Sequence, residues 1–305
     1  MTVAGVHPTQ LQASLDDCGV VVRTQARNFW WGLRASPRPQ RDVLYAVYAW
    51  MRLGDDIVDE SASRDAAAQA FEQFRRSSEL AMAGESAPTG CWPAFAWAMR
   101  EAAIPQVWLR DMLAGLAWDL DHTPLERDEQ LERYCYLVGG TVGLVCTHVW
   151  GLRSGQTREV ALAKADARGR SFQMINIARD IATDARAACP RAYVPDETLA
   201  RHGLSRQDLL AWRQPAQCES LVRELIAKAD AYHESSRGLE EMIDPRFVPV
   251  LHAMTSVYQG VLSTLRKEPA RAVIGPRARV ATWRKMLIGL RAVVQQWSVR
   301  TRSQQ

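Results

Sequence analysis

Apolar positions along this chain recur at intervals of three and four residues, the period of a helix buried on one side. The pattern is sustained over residues 66–83, 106–120, 159–185 and 218–243, stretches rich in Ala, Leu, Arg, Gln and Glu, which also favour helix intrinsically. Alternating Val/Ile/Thr runs closed by Asn-Gly or Asp-Gly turns, the mark of paired strands, are scarce. Prolines set the punctuation. Pro37 and Pro39 precede a helical segment that starts near Arg41, Pro190 and Pro195 follow the one holding Arg168, and Pro245 and Pro269 mark breaks toward the C-terminal end. An all-α bundle is expected.

Two helical segments, residues 44–60 and 171–184, carry polar stripes of a particular kind. Tyr48, Arg52, Asp55 and Asp59 fall at offsets 0, 4, 7 and 11, one continuous line on a helix of 3.6 residues per turn. Gln173, Asn176, Asp180 and Asp184 fall at offsets 0, 3, 7 and 11. Their neighbours are Val47, Met51, Ile57 and Val58 on one segment and Met174, Ile175, Ile177 and Ile181 on the other, so both acid-tipped ribbons should look inward. Carboxylates one turn apart repel, and more strongly where water is scarce, so a cation should compensate. Hard oxygen ligands with positions left open for water and phosphate suit magnesium, about three ions shared between two ribbons and a diphosphate. Arg52 and Arg179, each within a turn of the acids, are the expected guanidinium donors to phosphate.

Composition adds bounds to this picture. At 305 residues and 47% hydrophobic content the chain can bury a sizeable core, and no Pro/Gly/Ser-rich linker divides it. One domain over 1–305 is expected, with residues 1–24 as a leader and 299–305 as a tail. The first residues lack a basic start followed by an apolar core, and no stretch reaches the roughly 18 to 20 apolar residues of a spanning helix, so a cytoplasmic protein is expected. The six cysteines lie far apart without Cys-x-x-Cys spacing, consistent with reduced thiols. A formal charge of +4 is mild, but residues 269–305 hold eight Arg/Lys and no acid. Trp283, Met286, Leu287, Leu290, Val293, Val294 and Trp297 run through that tail at helical spacing. Its plain reading is a final helix packing an apolar stripe on the core; the functional readings are peripheral contact with an anionic membrane at its inner face, or help in holding phosphate. Basic residues that join acids, rather than lining one exposed face, argue against a nucleic-acid partner.

The two ribbons, read as Tyr-Ala-x-x-Arg-x-x-Asp-Asp-x-x-Asp-Glu (from Tyr48) and Gln-x-x-Asn-x-x-Arg-Asp-x-x-x-Asp (from Gln173), resemble the paired acidic motifs of the squalene and phytoene synthases. The resemblance extends to Phe29, to Asp119 in a Gly-x-x-x-Asp-Leu stretch, to Tyr134-Cys-Tyr-Leu-Val-Gly-Gly-Thr-Val-Gly143, to Tyr193-Val-Pro195 and to Tyr258, and covers roughly residues 25 to 290. It departs at residues 26–29, at 122–127 and in the loop carrying Cys189-Pro190. The family implies a class I isoprenoid synthase bundle with a central hydrophobic cavity. Its members join two allylic prenyl diphosphates head to head through a cyclopropyl diphosphate of the presqualene type. Carried over by motif, the resemblance implies that Asp55, Asp59, Asp180 and Asp184 bind magnesium, with Asp56 and Asn176 in support. It implies further that Gln173 and Asn176 contact diphosphate, that Arg52 and Arg179 clamp phosphate, and that Tyr48, Tyr134 and Tyr258 face the reaction. Phe29, Val138, Val142, Gly143, Phe172 and Tyr193 are the implied substrate contacts. Gly139, Gly140 and Gly143, each costing roughly 1 kcal/mol inside a helix relative to Ala, should make room for a prenyl chain or a close helix crossing.

Farnesyl diphosphate is the expected donor, with geranylgeranyl diphosphate as the alternative; the sequence leaves open whether the product is reduced with NADPH, because the family does so without a Rossmann fingerprint. A terpene cyclase or head-to-tail prenyl synthase would also use acidic helices and magnesium, but the Tyr-Cys-Tyr signature and the full second motif argue against both. A non-catalytic lipid-binding or assembly protein of the same fold is the reading from another class, and carboxylates intact in both ribbons weigh against it.

Overall fold

Helix α1 (Pro8–Gln25) begins at a proline, where a missing N–H costs nothing, and buries Cys18 and Val22 completely. The computed structural model describes residues 7–26, 33–34, 36–61, 63–85, 87, 89–187, 190–281, 283–291 and 294. Of the leader expected over residues 1–24, the part from residue 8 onward is therefore a packed helix, laid against α2 (Gln40–Glu60) and α4 (Trp92–Glu101). The apolar heptad-like stripe of α1 was too diluted by Gln, Asp and Ser to announce this from sequence. Between α2 and α4 stands α3 (Arg64–Met82), whose Ser63 caps it by accepting from the Ala66 N–H at 3.2 Å. Helix α5 (Gln106–Asp121) completes this half.

The second half turns on one long element. Helix α6 (Asp128–Cys135) runs through a single π turn (Tyr136–Gly140) into α7 (Thr141–Trp150), and both pack on the 28-residue α8 (Arg158–Ala185). A π turn shifts the register of every side chain beyond it, a device common at functional sites. Here it coincides with the glycines. A Cβ on Gly139 would sit 2.5 Å from the Gly169 carbonyl oxygen and 2.7 Å from Gln173 Cβ, and one on Gly143 would collide with the Ala165 carbonyl. Of the two uses expected for these glycines, close crossing with α8 is what the backbone requires.

The short α9 (Asp196–Arg201) and α10 (Arg206–Ala211) lead to α11 (Pro215–Ser235), which covers α8 from the other side. The helical run expected over residues 218–243 is broken at Gly238, whose φ of 82° lies in the left-handed region open to glycine, before α12 (Leu239–Met242). Helix α13 (Val248–Lys267) returns along α8. No strand occurs among the described residues, only an isolated bridge between Leu152 and Ile243.

Two buried knots hold these layers in place. Trp50 of α2 is fully buried, stacks on Phe95 at 4.7 Å and 6°, and donates its indole N–H to Ser78 Oγ at 2.8 Å. Arg168 of α8, 3% exposed, donates to Ser236 Oγ (2.7 Å), Glu240 (2.6 Å) and Thr255 (2.8 Å), so one guanidinium ties α8 to the α11–α12 turn and α13. Such a pair is strongly destabilising to break, because the remaining charge stays buried.

At the foot of α6, Asp128 accepts from Lys228 at 2.7 Å, Arg201 at 2.8 Å and Thr198 at 2.5 Å. Burial raises its pKa, but these donors outweigh burial and hold it at about 2, below the ordinary 3.8. A depressed carboxylate pKa adds stability that is fully present above the unfolded value and is lost as pH falls through the folded one. Asp128→Asn should therefore lower the melting temperature at pH 7 by an amount worth about 1 kcal/mol after screening. The gap between wild type and variant should close as pH falls from about 4 toward 2. Thermal melts across that range would show it, and a gap independent of pH would refute the ion-pair account.

Candidate active site

The cavity lies between α2, the π turn and α7, α8 and α13, with a volume of about 230 Å³. Its wall is mostly apolar; the polar groups Tyr48, Asp55, Gln173, Asn176 and Tyr258 gather toward one end, and Thr147 and Arg168 line it further in. Of the residues singled out from sequence, those five and Val138, Val142, Gly143 and Phe172 line this space. Phe172 and Tyr258 stack face to face at 4.2 Å and 6°, giving the mouth a fixed aromatic wall. Burial pushes the Tyr48 phenol up to about 12, with Asp55 and Asp56 adding to the effect and Arg52 opposing it, so its hydroxyl stays neutral and dipolar at working pH. Phe29, Val293, Trp297 and Cys189 lie outside the described residues.

Tyr134 and Tyr193 stand elsewhere. They are not in the cavity wall: the two rings stack at 4.7 Å, and both hydroxyls donate to Asp119, Tyr134 at 2.9 Å and Tyr193 at 2.6 Å. Tyr134, expected to face the reaction, is 2% exposed, and its hydroxyl is bonded to Asp119.

The acids continue the polar end outward. Asp55 is half-buried and Asp59 exposed on α2, and Asp180 is buried and Asp184 half-buried on α8, so each row grows more open along its helix. The two rows meet at Arg191, a residue sequence reasoning did not single out. Its side chain donates to Asp59 at 2.5 Å, its Nε lies 3.8 Å from Asp119, and its backbone N–H donates to the Asp184 carbonyl at 3.0 Å. Asp180 is held by Arg179 (Nε at 2.9 Å) and, from the C-terminal segment, by Arg277 through two bonds of 2.6 Å. Arg52 pairs with Asp56 on its own helix. The sequence did hold a signal for Arg191, two residues ahead of the recognised Tyr193-Val-Pro195; Arg277 was hidden in a tail read only as basic.

Charge at this rim is only partly balanced. Burial pushes Asp55 up to about 7, with Asp59 and Asp119 adding and Arg52 and Arg191 opposing. Burial likewise raises Asp184 to about 7, with Asp180 adding, and it raises Asp119 against the pull of Arg191 and the two phenols. Asp180 goes the other way: burial raises it, but Arg179 and Arg277 outweigh burial and leave it below the ordinary carboxylate range. Carboxylates held uncharged or repelling by their surroundings mark a place where added positive charge is welcome. Two buried donors, Arg52 Nε and Arg191 Nε, have no hydrogen-bond partner among the described residues, so both are left unspent at the rim. Among the described residues no three carboxylate, His or Cys side chains converge into a ready-made cage. Magnesium takes one or two protein carboxylates per ion and completes its shell with phosphate and water. Asp55, Asp59, Asp180 and Asp184, with Asp56 and Asn176 nearby, fit that donor set chemically.

A helical bundle whose apolar cavity opens onto two acidic rows and unspent guanidinium donors defines a protein that handles a diphosphate attached to a hydrocarbon. A family model described as squalene/phytoene synthase matches residues 22–284, so the chain belongs to that family of prenyltransferases. Among curated proteins it is 32% identical to a phytoene synthase of Thermus thermophilus over 270 residues, 88% of each chain. It is 29% identical to a 15-cis-phytoene synthase of Synechococcus elongatus over 298 residues, 92% of this chain and 94% of the relative. Among solved structures it shares its fold with a dehydrosqualene synthase (TM-score 0.81, 23% identity, 95% and 99% of the two chains). The same fold recurs in a squalene synthase from Alicyclobacillus acidocaldarius (TM-score 0.76, 24% identity, 88% and 98%).

The assignment of the second row is open to direct test. Asp180→Asn should weaken magnesium-dependent binding of inorganic diphosphate by roughly 100-fold, the scale of losing one charged contact at a preorganised anion site. Isothermal titration in the presence and absence of magnesium would read it, and unchanged binding would remove Asp180 from the site.

Proposed function

We propose that this enzyme condenses two molecules of an allylic prenyl diphosphate, farnesyl diphosphate in the first instance, head to head through a presqualene-type cyclopropyl diphosphate. The observation that carries the reading is the meeting of both acidic rows at Arg191 over the mouth of an apolar cavity. In the first step the C1–O bond of one donor breaks and its electron pair leaves with diphosphate. The double bond of the second donor then supplies the pair for the new C–C bond, and loss of a proton closes the cyclopropane. One diphosphate and one proton are released. Loss of the second diphosphate and rearrangement lead to a squalene-, dehydrosqualene- or phytoene-type hydrocarbon; reduction at that point needs NADPH as hydride donor.

The residues of this chain divide the work. Arg52 and Arg191 have donors free for phosphate oxygens, and Arg179 and Arg277 stand one carboxylate away. Magnesium bound by the acidic rows would neutralise the diphosphate and make it a better leaving group. The Phe172–Tyr258 stack and the Tyr48 hydroxyl present π-density and an oxygen dipole to a developing allylic cation, while the apolar wall excludes the water that would quench it. Incubation with farnesyl or geranylgeranyl diphosphate and magnesium, with and without NADPH, should release diphosphate and yield a C30 or C40 hydrocarbon by mass analysis. Neither product appearing would refute the reading. Geranylgeranyl diphosphate as the preferred donor would move it to a phytoene synthase, as the names of the curated relatives favour.

We further infer peripheral contact with an anionic membrane, on the cytoplasmic face. Residues 283–291 form a helix, and its apolar stripe, expected to pack on the core, faces outward instead: Trp283 is 58% exposed and Leu290 60%, with Met286, Leu287 and Val294 similarly open. Arg284 lies over the Trp283 ring at 5.2 Å, and the whole segment from residue 269 on is basic. An exposed apolar stripe flanked only by cations fits the headgroup boundary of an acidic bilayer. No helix among the described residues is long and apolar enough to cross one. Co-sedimentation should favour phosphatidylglycerol-containing over neutral phosphatidylcholine vesicles, and Trp283→Ser with Leu290→Ser should abolish it. Equal binding to both vesicle types would overturn the inference.

A further inference from the structure

We propose that Trp150 is the floor of the cavity and limits each prenyl donor to fifteen carbons; the proposal rests on the prenyl-transfer reading above. Four helices agree on which end is the floor. Going down α2 the wall passes from Asp55 to Leu44, going down α8 from Asn176 to Ala165, and going down α13 from Tyr258 to Leu251; below the rim the polar lining groups are Thr147 and Arg168, and the Arg168 guanidinium is bonded to Glu240 and Thr255. Helix α7 runs in the same sense from the π turn and ends at Trp150, closed by Gly151 with φ 82°.

Trp150 is held in place by packing. It is 3% exposed, and its indole stacks on Phe247 at 6.0 Å and 16°, at the turn that starts α13. Beyond it the chain is pinned by the Leu152–Ile243 bridge. The indole N–H has no partner among the described residues, so no hydrogen bond holds the ring away from the cavity that it lines.

The available depth follows from helix geometry. Gly139 abuts Gln173 just inside the polar rim, and Trp150 lies eleven residues further along, which at 1.5 Å per residue is about 16 Å. Side chains on a helix lean toward its N-terminus, here toward the mouth, so the indole occupies about one turn, roughly 5 Å, of that length. About 11 Å of apolar channel remains below Gln173. An extended carbon chain advances roughly 1.2 Å per bond, the spacing of an extended backbone, so a farnesyl main chain of eleven bonds needs about 13 Å and a geranylgeranyl chain of fifteen about 18 Å. With its first carbons at the rim a farnesyl chain just reaches the indole, whereas the longer chain meets the ring one isoprene unit too soon.

The test is the ratio of kcat/KM for geranylgeranyl over farnesyl diphosphate, measured for wild type, Trp150→Leu, Leu251→Ala and Val107→Ala. Wild type should favour farnesyl diphosphate roughly tenfold or more, and Trp150→Leu should move the ratio toward the longer donor by a similar factor, the scale of discrimination a hydrophobic pocket achieves through steric fit. Leu251→Ala, at the same end one turn from Phe247, should shift the ratio in the same direction and carries the test if Trp150→Leu fails to fold by circular dichroism. Val107→Ala, on the exposed face of α5, should leave the ratio where it was. An unmoved ratio in the folded floor variant, or wild type using both donors equally well, overturns the floor assignment while leaving prenyl transfer intact. Release of diphosphate from neither donor by wild type sinks the prenyl-transfer reading and the floor with it.

Discussion

Everything at the mouth of this cavity is organised by the repulsion among Asp55, Asp59, Asp119, Asp180 and Asp184, acids brought together at the edge of an apolar space. Taking a carboxylate out of water costs several kcal/mol unless a partner compensates. The chain compensates selectively. Guanidinium groups answer Asp59 and Asp180, and two phenols answer Asp119. Asp55 and Asp184 are left with burial and like charge pressing their pKa to about 7. A site that neutralised all its acids internally would have nothing to offer a metal–diphosphate cluster. One that neutralised none would not stay folded around it.

That balance works only if the helices cannot relax away from one another, and the packing shows how relaxation is prevented. Gly139, Gly143 and Gly169 let α7 and α8 cross backbone to backbone, and Gly54 lets α2 approach Leu116 and Phe74 with no room for a Cβ. Trp50, one helical turn before Gly54, is clamped between Phe74 and Phe95 at 5.7 and 4.7 Å. The first acidic row therefore sits on a helix fixed by aromatic stacking, and the second on one fixed by glycine contact and the Arg168 knot. Strain from repelling charges is resisted at both sides by interiors that are close-packed and hard to deform.

Much of this was legible in the sequence because it is periodic. The two acidic ribbons repeat at the helical period and have apolar flanks, so their helices and their inward aim could be read from Tyr48 to Asp59 and from Gln173 to Asp184. What was not legible depends on contacts between residues far apart in the chain. Arg191 reaches Asp59 across 132 positions and Arg277 reaches Asp180 across 97, and no local pattern distinguishes them from surface arginines. Tyr134 sits in a recognisable signature, yet only the fold reveals that its hydroxyl faces Asp119 rather than the cavity. The outward face of residues 283–291 was misjudged for a related reason: an apolar stripe at helical spacing says that something covers it, but not what.

The cavity's shape constrains how its contents come and go. With the Trp150–Phe247 stack as its floor, the cavity would take in substrate and release hydrocarbon past the acidic rim. A product that has lost both diphosphates has no affinity for that rim and a large cost of exposure to water, about 25 cal/mol for each Å² of apolar surface. Release is then favourable only into another apolar phase. Arg277, bonded to Asp180 at the mouth, stands six residues before the helix whose apolar stripe is open, and Val280 between them packs against Gly260 of α13. Arg277 at the charged entrance and the helix with the open apolar stripe thus follow one another closely in the chain. An interfacial position for that helix would set the mouth against the bilayer, where an amphiphilic donor is already concentrated and a greasy product meets no water on its way out.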